Sequence, residues 1–96
     1  MNVINKNGTA ARSCKCISWI QHWRKYSGQN AYVCRAKGCS NSDIVGAHVL
    51  KDIRNDSKEY IVPFCNKHNS TSGSIELVFG TALATANVSQ SCGKKW

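Results

Sequence analysis

Apolar positions recur along this chain in two rhythms. Trp19, Ile20, Trp23 and Tyr26 fall at helical spacing, with Gln21, Arg24 and Lys25 opposite, which predicts an amphipathic N-terminal helix over residues 18–26. Ser18 and Gln21 form a capping box, and Gly28 supplies the stop. The rhythm then turns to strands. Residues 31–34 read as a short strand, residues 43–50 as a β-branched one, and Tyr60-Ile-Val-Pro-Phe64 as its return after a turn at Asn55-Asp56-Ser57. Pro63 has no amide proton and is expected at an edge or strand end. Residues 66–72 suit a short helix limited by Gly73. Residues 75–79 and 82–88 read as a C-terminal β-hairpin about Gly80, although the second segment also fits a helix. Residues 1–13 show no periodicity and predict a flexible leader. No repeat, low-complexity tract or linker interrupts the pattern.

A chain of 96 residues makes one domain, residues 1–96, with a core small enough to need a staple. Six Cys offer one, as disulfides or as metal ligands. The N-terminus has no apolar run or small-residue cleavage site, and no stretch approaches the ~20 apolar residues that span a bilayer. These features predict a cytoplasmic chain with no membrane partner and reduced thiols, which favours zinc over disulfides.

Cys34 and Cys39 are separated by four residues, and Cys65 and His68 by two, with room for a two-stranded hairpin between the pairs. Three Cys and one His are the complement that closes a tetrahedral zinc site. Gly38 stands where a knuckle must bend sharply. Cys14, Cys16 and Cys92 remain. Three thiolates want a fourth ligand, which His48 or His22 could supply, giving a second zinc. His22 otherwise reads as a surface residue. Trp19 and Trp23 read as core rather than as platforms for bases.

The net charge of +8 is uneven. Lys6, Arg12, Lys15, Arg24, Lys25, Arg35 and Lys37 precede the first acid, Asp43. That one-sign half is consistent with a DNA or RNA partner and equally with a surface kept soluble by charge.

The order Cys-x4-Cys, Gly46-Ala-His48-Val, then Ile-Val-Pro-Phe-Cys65-x-x-His68-Asn69 resembles the HNH (His-Me finger) endonucleases over residues 34–70, and the layout is that of a treble clef. The chain is also similar to small bacterial zinc proteins that share the Gly-Ala-His-Val and Pro-x-Cys-x-x-His-Asn phrases, a likeness that implies no function. The HNH resemblance implies that His48 is the general base for a water attacking a DNA phosphate. It further implies that Asn69 lies near a catalytic Mg or Mn ion. Three positions depart from the family pattern. Gly73 stands where a further ion ligand is expected, Tyr60 where the middle Asn falls, and Ala47 where an acid or second His precedes the base. The resemblance therefore implies a degenerate catalytic site. A zinc-bound His48 would have no lone pair for base chemistry, so the nuclease and second-zinc readings compete for it.

Together these readings predict a small α+β, zinc-stabilised treble-clef (ββα-like) domain. Its expected function is to bind nucleic acid through Arg12, Lys15, Arg24, Lys25, Arg35 and Lys37. The alternatives are an HNH-type nuclease and a protein-interaction adaptor that presents Trp19, Trp23 and Trp96.

Overall fold

Two β-branched runs make the centre of the structure. β2 (Ile44–Lys51) and β3 (Glu59–Cys65) pair antiparallel from Ile44 opposite Cys65 to Leu50 opposite Glu59. The computed structural model describes residues 1–6, 18–53, 56 and 58–86. Within them the hairpin is extended on both sides by β1 (Asn2–Asn5), β4 (Ser74–Glu76) and β5 (Ala84–Thr85), in the order β4-β1-β2-β3-β5. All pairings are antiparallel. Two helices, α1 (Trp19–Ser27) and α2 (Asn66–Asn69), complete a small α+β architecture.

Strand periodicity sorts the core into two faces. Val3, Ala47, Val49, Val62, Phe64 and Ile75 belong to one buried cluster, together with Cys34 and Cys65. Ile61 and Ala84 face the other way, into a cluster with Trp23 and Ala31. Gly46 and His48 share that second face because they alternate with Ala47 and Val49.

α1 covers the second face. Ser18 Oγ accepts from the Gln21 amide at 3.3 Å, and Gly28 ends the helix in the left-handed conformation, φ +70°. Trp23 is fully buried, and its Nε1 donates to the Ala82 carbonyl at 2.8 Å. It is core, so it offers no partner surface; Trp96 lies outside the described residues. His22 is also fully buried, which corrects its reading as a surface residue. Its Nε2 lies 2.6 Å from the Thr85 carbonyl. A carbonyl can only accept, so Nε2 carries the proton.

Four further expectations change. The leader is not structureless at its start, because residues 2–5 form β1 between β4 and β2, with Val3 fully buried opposite both Lys51 and Ile75. A strand therefore precedes the first helix. Residues 31–34 form no strand; the bridge falls later, between Ala36 and Leu77. The C-terminal segments make no hairpin with each other. β4 joins β1 and β5 joins β3, at opposite edges of the sheet, because each edge offered an unpaired backbone row that the intervening turn at Gly80 allows the chain to reach. Pro63 stands inside β3 opposite Gly46 rather than at an edge or strand end, but it lies past Tyr60 and Ile61, the two residues that β5 pairs, so its missing donor interrupts no ladder there.

Candidate metal centre

The ligands come from two local devices on the sheet face opposite α1. The first is a knuckle. The Cys34 amide donates to the Asn41 carbonyl at 2.8 Å and the Cys39 amide to the Ala36 carbonyl at 3.0 Å, which folds residues 34–41 back on themselves. Gly38 takes φ +82° at the bend, a conformation costly for a residue with a Cβ. The second device is the β3–α2 junction. Cys65 ends β3 and caps α2, its Sγ accepting from the His68 amide at 3.5 Å. One helical turn then carries the His68 ring back over the sulfur.

Cys34, Cys39, Cys65 and His68 consequently form one cluster whose ligand atoms all lie within 4.8 Å of one another, a group that could hold a metal ion. His68 Nδ1 is 3.3 Å from Cys65 Sγ and 3.5 Å from Cys34 Sγ, and Cys39 Sγ is 3.9 Å from Cys65 Sγ. A tetrahedron with Zn–S near 2.3 Å and Zn–N near 2.0 Å has edges of about 3.8 Å between sulfurs and about 3.5 Å from sulfur to nitrogen. The donor set fits zinc. The three thiols are free, and 3.9 Å between Cys39 and Cys65 sulfurs is no disulfide.

Neighbouring groups prepare the site. Burial pushes the Cys34 thiol from 9.0 up to about 11, which keeps it protonated until a metal displaces the proton. Burial also raises Cys65, but the His68 amide, the Asn41 side chain and the His68 ring more than offset it and bring the thiol down to about 6. Asn41 Nδ2 donates to Cys65 Sγ at 3.5 Å. Asp43 Oδ2 accepts from the Asn66 amide at 3.3 Å, and Asn5 Nδ2 donates to the carbonyls of His68 and Thr71 at 2.6 and 2.7 Å. Asn5, Asn41 and Asp43 therefore hold α2 and its ligand in place. The cluster of Asn41, Ser42 and Asp43 was readable as turn chemistry, whereas Asn5 reaches α2 across 63 positions and left no local signal.

The other site residues are not gathered here. His48 is 7% exposed, on the face opposite the cluster, with its ring edge-on to Trp19 at 4.5 Å between centroids. Asn69 is exposed at the end of α2, which packs on the cluster side through Asn5. The sheet stands between the two, so the arrangement implied by the HNH resemblance is not brought together. Arg24 and Arg35 donate to the carbonyls of Ala31 and Asn30, Lys25 lies over the Tyr26 ring, and Lys37 pairs with Glu76 at 3.1 Å. Cys14, Cys16, Cys92, Arg12 and Lys15 lie outside the described residues. Among the described residues no helix is long and apolar enough to cross a membrane.

Comparison with protein-family models, with curated proteins and with solved structures returned no match.

Proposed function

We propose that this chain is a zinc-stabilised module of treble-clef organisation that binds nucleic acid, with zinc serving the fold rather than chemistry. The carrying observation is that three sulfurs and one imidazole nitrogen lie within 4.8 Å of one another, with the Cys34–His68, Cys65–His68 and Cys39–Cys65 pairs near tetrahedral-edge distances. Four protein ligands leave no open position for a substrate or water. The order of knuckle, hairpin and short helix supports the treble-clef reading. A polyanion partner is supported by the charge: seven cations precede the first acid, and the whole chain carries +8. Cleavage is not assigned, since His48 and α2 lie on opposite faces of the sheet. A second zinc would draw on Cys14, Cys16 and Cys92 with His48.

The test is anisotropy of a labelled oligonucleotide with zinc-loaded protein. Even a few phosphate contacts should cost at least about tenfold in affinity between 50 and 200 mM salt. Affinity that ignores salt, or no binding at low salt, would remove the nucleic-acid reading and leave the metal centre standing.

A further inference from the structure

We propose that residues 29–35 and 78–82 together form a stacking surface for single-stranded nucleic acid, with Tyr32 and Phe79 as base platforms and Arg24 and Arg35 as phosphate contacts. The inference rests on the nucleic-acid reading above and supplies its strand type and its place on the molecule.

Tyr32 is 79% exposed and Phe79 is 101% exposed, the two most exposed aromatic side chains among the described residues. Their segments are fastened together at two levels. On one side Lys37 donates through its amide to the Glu76 carbonyl at 2.9 Å, and Val78 to the Arg35 carbonyl at 2.8 Å. On the other side the Gln29 side chain donates to the Gly80 carbonyl at 2.9 Å and accepts from the Ala82 amide at 3.0 Å. Tyr32 and Phe79 fall between these two fastenings, so one region of the surface presents both rings.

The charged groups around the rings are complementary to a phosphodiester. Arg24 Nη2 donates to the Ala31 carbonyl at 3.2 Å and Arg35 Nη2 to the Asn30 carbonyl at 2.7 Å, so both guanidiniums brace the loop that carries Tyr32. Each guanidinium has five donors, more than its bond to the loop uses, in a fork whose geometry suits phosphate oxygens. No acid occurs in residues 18–42 or 77–86, and Glu76 is held by Lys37. Rings among cations suit bases on a charged backbone. A duplex keeps its base faces stacked inside, so the same rings favour a single strand.

The experiment compares a labelled oligothymidylate of about 20 nucleotides, a length that spans a typical single-strand site, with a duplex of equal length, using the zinc-loaded full chain at low salt. The single strand should bind at least about tenfold more tightly. Tyr32→Ala and Phe79→Ala should each weaken it by about tenfold, with zinc content and thermal midpoint unchanged, and Phe79→Trp should restore it. Equal affinity for both forms, unaffected by the two alanines, would overturn the stacking surface while keeping nucleic-acid binding. No binding to either form would overturn both. Self-association abolished by Phe79→Ala, with oligonucleotide affinity untouched, would assign the surface to a second copy of this chain and overturn the proposal.

Discussion

Gly46 lies directly beneath Trp19. A Cβ at residue 46 would stand 2.5 Å from the Ile20 amide nitrogen and 2.6 Å from the Trp19 Cβ, so α1 can approach β2 only where there is no side chain. Its backbone conformation is not the reason, since the φ of Gly46 is not in the left-handed region. Gly46→Ala should therefore cost about 1–3 kcal/mol through overpacking, lowering the thermal midpoint by roughly 5 °C or more. Zinc content should be retained, because the metal cluster is on the other face. Thermal melts of the zinc-loaded variant check this; an unchanged midpoint would mean that the helix does not pack there.

Trp23 anchors the same helix from its middle. Trp23→Ala removes a fully buried indole and should cost about 3–5 kcal/mol. Trp23→Phe keeps most of the apolar contact but leaves the Ala82 carbonyl without its donor, and should cost about 1–3 kcal/mol. Urea midpoints of the two variants should fall in that order.

Acid should act on the centre through its thiols. Metal binding requires deprotonated ligands, so zinc affinity must fall as pH falls. In the metal-free chain the sign differs between two cysteines. Cys65 is lowered from 9.0 to about 6, so its contribution to stability is full above about pH 9 and is lost as pH falls through about 6. Cys34 is raised from 9.0 to about 11, so its contribution is full below about pH 9 and is lost as pH rises through about 11. Thiolate absorbance of the metal-free protein, minus that of Cys65→Ser, should show one early titration near pH 6. Asn41→Ala should move that titration upward by removing a donor to the sulfur. A single late step shared by all thiols would contradict the assignment.

The nuclease arrangement makes its own prediction. With His48 buried against Trp19 and separated from Asn69 by the sheet, plasmid incubated with magnesium or manganese should remain uncut. Nicking that disappears in His48→Ala would show that the face carries chemistry after all.

The metal cluster was legible in sequence because its ligands sit in two short local devices. Cys34 and Cys39 bracket a knuckle, and Cys65 and His68 share one helical turn, so spacing alone encodes their geometry. The helix caps at Ser18 and Gly28 and the β2–β3 hairpin were legible for the same reason: each is a local pattern. β1 was not, since only four residues pair and only Val3 is buried among them, too short a run for alternation to register. Nor was the separation of β4 from β5. Both segments carry strand character, but which edge each one joins is decided by partners more than 20 positions away, Val3 for Ile75 and Ile61 for Ala84. His22 shows the same limit, because its polar place on the helix became a buried one through the Thr85 carbonyl.

The central claim is that Cys34, Cys39, Cys65 and His68 hold a structural zinc. Elemental analysis of protein purified without chelator, set beside Cys65→Ser, tests it most directly. The account predicts that the variant holds one zinc fewer per chain and melts at a markedly lower temperature, since the binding free energy of a structural zinc adds to the folding free energy. Equal zinc in the two proteins, or a thermal midpoint that chelator leaves unchanged, would contradict it.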